Sequence, residues 1–188
     1  MRIFFSFVTL ALLPVFAQAD GFDYTYVEAG YISADFDTAG ISVDGDGFGI
    51  NGSYAITDDY YLFVGYSSLG FDFSVDLNQL AVGVGWHSAL SPTIDFVVTL
   101  AYLDAEVDTG FGSVSEDGFG IGAGVRGALN STFEWEAGVD YSDVGGSDTS
   151  LRLDGRYYFT DTLAAGAGLT VDDDVTIFSI GIRMEFGK

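Results

Sequence analysis

The chain has 188 residues, of which 28 are acidic and 6 are basic, so its net charge is −22, and it contains no cysteine. This charge makes nucleic acid an implausible partner, and the lack of cysteine excludes both a disulfide framework and a lipid-modified N-terminal cysteine. Hydrophobic residues still make up 48% of the chain, aromatic residues 16%, and there are 26 glycines, which is unlike a disordered acidic chain.

The N-terminus has the pattern of a secretory signal peptide. Arg2 precedes an apolar run over residues 3–16, and Ala17-Gln18-Ala19 is the small-x-small sequence that precedes cleavage. The run is shorter than a membrane-spanning helix, and no later stretch reaches about 18 unbroken apolar residues. We therefore expect residues 1–19 to be removed and residues 20–188 to form one exported domain without a helical span.

Alternation of apolar residues with small or charged ones dominates the remaining chain. In the stretch GFGIGAGVR, apolar residues from Phe119 to Val125 share one face of an extended strand, while four glycines and Arg126 share the other. An apolar outer face with a small, polar inner face is typical of a barrel wall in a membrane. The period recurs in ten segments, at 24–35, 48–56, 60–67, 79–87, 96–102, 118–126, 133–141, 151–159, 163–171 and 178–186.

These segments predict an all-β fold, a transmembrane antiparallel up-and-down β-barrel of ten strands, with eight strands as the alternative. An even strand number puts both termini on the periplasmic side. The turns near residues 58, 91, 130 and 161 are then periplasmic. The Gly- and Asp-rich connections at 36–46, 70–76, 104–117, 143–149 and 172–174 are then extracellular.

Aromatic residues recur six positions apart on the outward face, for example Phe48 with Tyr54 and Tyr60 with Tyr66. This spacing predicts two rings of aromatics at the two interfaces of a thin apolar band. In a secreted soluble β-sandwich, which is the competing interpretation, the same residues would fill a core. The predicted interface aromatics are Phe48, Tyr54, Tyr60, Tyr66, Trp86, Phe96, Tyr102, Trp135, Tyr141, Phe159 and Phe186.

Apart from Lys188, the cations of the exported domain all fall on the inward face, beside inward acids. Enclosed guanidinium groups need carboxylate partners, so we predict a lumen charge network. Two interpretations stay open: a salt-bridged barrel interior that fixes the strand register, and the charged constriction of a conducting pore. The predicted members are Glu28, Arg126, Glu134, Glu136, Asp140, Arg152, Asp154, Arg156, Arg183 and Glu185.

The sequence offers little for catalysis, cofactors or metals. His87 is the only histidine and is predicted to face the lumen at the periplasmic end, which leaves few candidates for acid–base chemistry. Residues 122–127 match the G-x-G-x-x-G spacing, but alternation runs straight through them, so we predict no dinucleotide site and no cofactor. Acidic connections make weak calcium candidates of Asp44, Asp46, Asp172, Asp173 and Asp174, although no 12-residue calcium loop is present.

Three phrases carry a family resemblance: Tyr24-Thr-Tyr-Val-Glu28-Ala-Gly-Tyr31, Gly65-Tyr-Ser-Ser68 and Gly83-Val-Gly-Trp-His87. With the signal peptide and the ten strands, they resemble the small outer-membrane β-barrel proteins of Gram-negative bacteria. The chain is most similar to a proteobacterial group of short barrels, some of whose members have been labelled quorum-sensing factors, and more distantly to OmpX-like and OmpA-like barrels. Such proteins commonly end on an aromatic assembly signal, whereas here Phe186 is followed by Gly187-Lys188.

We therefore expect a non-enzymatic protein of the bacterial outer membrane, exported by the general secretory route. Its expected role is that of a structural envelope protein or a narrow passive pore for small solutes and ions. The alternative is a surface-binding or adhesion barrel that acts through acidic, calcium-binding extracellular loops. Expected partners are outer-membrane lipid and lipopolysaccharide, the barrel-assembly machinery, and divalent cations at the loops.

Overall fold

A computed structural model describes residues 15–16, 22–38, 41–72 and 75–187. Most of the predicted signal peptide and Lys188 lie outside the described residues. The described residues of the signal peptide, Val15–Phe16, form a short antiparallel pair with Phe22–Asp23. No helix in the described ranges is long and apolar enough to cross a membrane. Ten long strands follow: β1 Tyr26–Thr38, β2 Ile41–Ala55, β3 Tyr60–Phe71, β4 Val75–Ser91, β5 Ile94–Asp108, β6 Ser113–Asn130, β7 Phe133–Asp143, β8 Ser147–Tyr158, β9 Leu163–Val171 and β10 Val175–Glu185.

The ten strands form a closed antiparallel barrel. Each strand pairs with the next, and β10 returns to β1 in a register that runs from Val175 opposite Phe36 to Glu185 opposite Tyr26. Closure leaves no unpaired strand edge, which is the condition for a sheet to cross a bilayer. The ten-strand prediction is confirmed, and both the eight-strand barrel and the soluble sandwich are excluded. We call the end at which β1 begins and β10 ends the terminal end, and the opposite end the distal end.

The predicted inward and outward faces are also confirmed. On neighbouring positions of β3, the outward Leu62 is 50% exposed while the inward Tyr61 is fully buried. On β10 the outward Ile182 is 50% exposed and the inward Arg183 only 2%. A continuous surface of half-exposed apolar side chains would be unfavourable in water and fits contact with lipid.

The outward aromatics form two rings. The distal ring contains the predicted Phe48, Tyr66, Tyr102 and Tyr141, to which the structure adds Tyr31, Phe119 and Phe178. The terminal ring contains the predicted Tyr54, Tyr60, Trp86, Phe96, Trp135, Phe159 and Phe186, with Tyr157 added. Neighbours within a ring touch: the ring centroids of Phe119 and Tyr141 lie 6.1 Å apart, and those of Trp86 and Phe96 lie 6.4 Å apart.

The strands are longer at the distal end than the sequence predicted. Most of 36–46 and of 104–117 is strand, paired up to Thr38 with Ile41 and up to Asp108 with Ser113. The prediction of long connections there was wrong because Gly and Asp were interpreted as turn formers. In the barrel these acids, apart from the inward Glu116, occupy outward strand positions beyond the membrane band, where water solvates them.

Inward glycines make room for long side chains of the neighbouring strand. A β-carbon at Gly85 would overlap the ring of Tyr61, and one at Gly83 would overlap the ring of Phe63. On the other side of the barrel, a β-carbon at Gly138 would lie 2.9 Å from a guanidinium nitrogen of Arg152. The glycine-rich inner face therefore does not leave an empty lumen, because large neighbours lie flat against it.

This packing predicts a position-specific cost for adding a methyl group. Gly85→Ala is expected to lower the free energy of unfolding by about 1–3 kcal/mol, because the new methyl collides with the Tyr61 ring. Gly52→Ala is the matched control, since a β-carbon there would lie 3.8 Å from Val64 in an ordinary contact. Urea titration of the two variants refolded into lipid vesicles measures the difference. Equal stability of the two variants would contradict the proposed contact.

Candidate functional site in the barrel lumen

The lumen charge network predicted from the sequence is assembled in the half of the barrel nearer the terminal end. Arg152 on β8 is its centre: its guanidinium donates to Glu136 and to Asp140 on β7, both at 2.9 Å, and lies 3.8 Å from Asp154. Arg126 on β6 approaches Glu136 to 3.7 Å. Antiparallel pairing of β6, β7 and β8 places Arg126 and Asp154 on either side of Glu136, which explains why one carboxylate serves two strands.

A second group of charges lies across the β10–β1 closure. Arg183 forms an ion pair with Glu28, donating from Nε at 2.6 Å, and Arg156 approaches the same carboxylate to 3.9 Å. The Arg183 guanidinium also lies over the ring of Tyr26, 3.7 Å from its centroid. Glu28 and Arg183 are 155 residues apart in sequence and are direct partners in the strand register. This ion pair therefore joins the two ends of the barrel domain.

The remaining predicted members lie closer to the terminal end. Glu185 accepts a 2.6 Å hydrogen bond from the hydroxyl of Tyr158, and Glu134 is 2% exposed on β7. All ten predicted charged residues therefore face the lumen. An enclosed charge is stable only with partners at hydrogen-bond distance, so this layer holds the side chains in one arrangement.

A small polar cavity lies beside the charged layer. Its volume is about 40 Å³, and its polar lining comes from Glu28, Asn51, Asp154, Arg156 and Ser179. Glycines on β1, β2, β9 and β10 supply much of the remaining wall. By the usual requirement of about 10–15 Å³ per water, this space accommodates roughly three water molecules. It is too small for a sugar or an amino acid.

The terminal mouth of the barrel is closed by a group of residues that the sequence analysis did not assemble. His87 faces the lumen as predicted, and its Nδ1 lies 3.1 Å from a carboxylate oxygen of Asp95. Tyr24 covers the His87 ring, and its hydroxyl donates to the same Asp95 oxygen at 3.0 Å. Tyr24 is the first residue of the predicted segment 24–35, on its inward parity, and Asp95 directly precedes the segment 96–102, also on the inward parity. Extending the alternation of β5 by one residue would have placed both side chains in the lumen.

The distal part of the lumen is apolar, which corrects the prediction of a polar interior along the whole barrel. Buried inward side chains there include Leu69, Leu103 and Val144, each fully buried, and they pack with Ile32, Ala34, Leu77, Ala105, Val175 and Ile177. The prediction of a polar interior was based on strands β6 to β8, whose inward positions are rich in glycine and charged residues. On β1, β3, β4 and β5 the inward positions beyond the distal ring are apolar instead.

Acidic residues surround the distal end of the barrel. They form what we call the distal acidic collar: Asp35, Asp37, Asp44, Asp46, Asp72, Asp76, Asp104, Glu106, Asp108, Glu116, Asp117, Asp143, Asp148, Asp172, Asp173 and Asp174. Most occupy outward strand positions or turns, while Glu116 and Asp148 lie on the inward parity, opposite the inward Ala105 and Ser142. On β2, β5, β6 and β7 the collar begins at the next outward position after an aromatic of the distal ring, as with Tyr102 followed by Asp104. The cations in the described part of the chain are Arg126, Arg152, Arg156 and Arg183, and all four lie in the lumen.

The weak calcium candidates are not gathered into a preformed site. Across the described ranges, no group of three or more His, Cys, Asp or Glu side chains is placed to hold a metal ion. The Asp172 carboxylate instead accepts backbone N–H bonds from Asp174 at 2.8 Å and Val175 at 2.6 Å, which shapes the β9–β10 hairpin. A cation at the collar would need ligands from outside the chain.

Comparison with known proteins defines the class of fold. No family model and no curated protein matches the sequence. An outer membrane channel from Pseudomonas putida F1 aligns with a TM-score of 0.56 and 10% identity, over 95% of this chain and 98% of that chain. The KdgM porin in complex with disordered oligogalacturonate aligns with a TM-score of 0.53 and 8% identity, over 86% of this chain and 99% of that chain.

Ail, the attachment invasion locus protein of Yersinia pestis, is a further structural neighbour at 17% identity. It aligns with a TM-score of 0.44 over 87% of this chain and 99% of that chain. The similarity to the Pseudomonas channel and to KdgM establishes that this chain has the fold of an outer-membrane β-barrel.

The ion-pair geometry predicts strong coupling around Arg152. Arg152→Met removes the partner of two buried carboxylates and is expected to lower the free energy of unfolding by about 3–5 kcal/mol. Asp140→Asn should cost less, and the double variant should cost less than the sum of the two, because both changes remove the same hydrogen bond. Urea titrations of the two single variants and the double variant measure this coupling. Additive costs would show that the two side chains do not interact.

Proposed function

We propose that the chain is a non-enzymatic structural protein of the bacterial outer membrane with a closed lumen. The observation that carries this proposal is the stacking of three obstructions along the barrel axis. The Tyr24–His87–Asp95 group closes the terminal mouth, and the apolar cluster around Leu103 fills the distal part. The Arg152 and Arg183 ion pairs, each formed between adjacent strands of the wall, occupy the middle of the lumen. Between them lies a cavity of only about 40 Å³.

The proposed location rests on the outward face. Two aromatic rings bound a charge-free apolar band, as expected for a barrel held between two lipid–water interfaces. The predicted signal peptide and the resemblance to short proteobacterial barrels support export to the outer membrane and insertion by the barrel-assembly machinery. The terminal end is then periplasmic and the distal acidic collar extracellular.

A closed lumen predicts an electrically silent barrel. Refolded residues 20–188 in a planar bilayer are expected to pass no steady current. Combining Leu103→Ala and Ile177→Ala should still leave the ion-pair layer in place, so conductance should stay absent until Arg152→Ala and Tyr24→Ala are added. The matched control carries Leu62→Ala and Ile182→Ala, which change the same residue types on the lipid face.

The narrow-pore alternative makes the opposite prediction. A steady, salt-dependent current through the unmodified chain, with an ion selectivity altered by Arg152→Ala, would show that the charged layer is a constriction rather than a closure. The oligogalacturonate of the KdgM complex would then be a reasonable first solute to test.

A second candidate function is binding at the cell surface through the distal acidic collar. The observation that favours it is that no described cation lies at the collar: its acids surround the barrel beyond the distal ring, and the described arginines are enclosed in the lumen. We propose that divalent cations bridge collar carboxylates to the phosphates of lipopolysaccharide, because oxygen ligands from both sides would complete a coordination shell that the chain alone does not provide.

Asp148 is a collar residue whose carboxylate is repelled by neighbouring collar carboxylates. It lies beyond the distal ring, since its neighbour Thr149 pairs with Tyr141 of that ring. Partial burial raises the pKa of Asp148, and the nearby charges of Asp172, Asp174 and Asp173 raise it further. A raised pKa in the folded state means that ionisation destabilises the fold above that pKa, and the cost disappears as the pH falls through it toward the ordinary value of 3.8.

Asp148→Asn should therefore raise the thermal unfolding midpoint at pH 7 and have little effect near pH 3.8. Asp58→Asn, in an exposed turn at the terminal end, is the control substitution. In vesicles containing lipopolysaccharide, millimolar calcium should stabilise the unmodified chain more than Asp148→Asn. Equal stabilisation by calcium and by sodium at matched ionic strength would mean simple screening and would end the bridging proposal.

A further inference from the structure

Residues 22–25, which directly precede β1, fold over the terminal mouth instead of leaving the barrel. The Asp23 carboxylate accepts a hydrogen bond from the backbone N–H of Gly187 at 2.9 Å. The Tyr24 carbonyl accepts from the Ser53 hydroxyl at 2.8 Å, and the Thr25 carbonyl accepts from the backbone N–H of Phe186 at 2.9 Å. These bonds tie the segment to β2 and to the end of β10, so its path across the mouth is fixed by the wall.

The Tyr24 side chain enters a pocket built from four strands. Its ring stacks on His87 of β4, with 3.7 Å between centroids and 16° between planes, and on Tyr61 of β3 at 4.8 Å and 27°. The guanidinium carbon of Arg126 on β6 lies 4.8 Å from the ring centroid. The hydroxyl donates to Asp95 of β5 at 3.0 Å, and Tyr24 as a whole is 2% exposed.

Each of these contacts recognises a different feature of a phenol. Stacking on His87 and Tyr61 selects a flat ring, and the Arg126 cation favours a ring with an electron-rich face. The Asp95 carboxylate needs a hydrogen-bond donor at the far edge of the ring, which a phenol supplies and a plain hydrocarbon ring does not. With a hydrocarbon ring in place of the phenol, the buried Asp95 carboxylate would lose one hydrogen bond and keep the His87 contact, so the pocket favours the phenol.

We propose that the terminal mouth is a phenol-binding site, occupied in this protein by its own Tyr24. Residues 22–25 thus cover the mouth, and the Tyr24 side chain occupies the site as its ligand. A free phenol substituted at the para position fits the same pocket once the Tyr24 side chain is removed. Binding at this site is independent of ion conductance, because the Arg152 layer and the distal apolar cluster obstruct the lumen whether or not Tyr24 occupies the pocket.

The single histidine of the chain provides the test. In residues 20–188 refolded into detergent micelles at fixed pH, the stacked Tyr24 ring should shift the carbon-bound ring protons of His87 upfield in NMR spectra. Tyr24→Ala should move these resonances downfield, whereas Tyr24→Phe should largely keep them in place. Tyr54→Ala, which removes an outward tyrosine of the terminal ring, is the matched control and should leave them unchanged.

Chemical rescue then tests the ligand class. Titrating p-cresol into Tyr24→Ala should return the His87 resonances toward their original positions in a saturable way, and toluene, which lacks the hydroxyl, should bind at least about tenfold more weakly. If Tyr24→Ala does not fold, p-cresol in the refolding buffer should restore the folded, heat-modifiable gel band and toluene should not.

Three results would overturn the proposal. Unchanged His87 resonances in folded Tyr24→Ala would show that Tyr24 does not occupy the pocket. Failure of p-cresol to restore either the resonances or the folded band would show that the pocket does not bind a phenol in trans. Equal rescue by toluene would make it a site for aromatic rings in general and would remove the role assigned to Asp95.

Discussion

The enclosure of four arginine side chains inside a wall whose other face meets lipid is the constraint on which the rest of the barrel depends. Side chains alternate between the two faces, so a one-residue slip of β8 would turn Arg152 and Arg156 toward the membrane. Because a charge in the hydrocarbon region costs several kcal/mol, such a register is strongly disfavoured. The carboxylates of β1, β7 and β8 complete the constraint, since the enclosed arginines are stable in the lumen only beside these partners.

The same alternation of side chains determines how the lumen is filled, because every second residue of each strand points inward. A ten-strand wall has room for many inward side chains, but long ones would collide if every inward position carried one. Glycines on the neighbouring strand solve this problem: the rings of Tyr61 and Phe63 lie over Gly85 and Gly83, and Arg152 lies against Gly138. Large and small inward residues therefore belong together as pairs across adjacent strands. A glycine-rich inner face is thus compatible with a closed lumen.

Alternation in the sequence was enough to predict the strand number, both faces and all ten charged residues of the lumen, because period-two patterning is a local signal. The predictions failed where a contact joins residues distant in sequence, or where a residue type is common both in turns and in strands. Gly and Asp at 36–46 and 104–117 suggested turns, and only the register shows that these residues continue β1, β2, β5 and β6. The Tyr24–Asp95 bond joins residues 71 positions apart, and no spacing rule connects them.

Along the length of the strands, the outward residues change from apolar to acidic and the inward residues change to apolar. This change sets the depth of the barrel in the membrane. On β5, the outward Leu100 and Tyr102 are followed by the outward Asp104, while the inward positions change to the fully buried Leu103. Below the distal ring the wall is apolar outside and charged inside; above it, the wall is acidic outside and apolar inside. A two-residue slip would preserve the faces but would carry Asp104 toward lipid. The register is therefore fixed both around the barrel and along its axis.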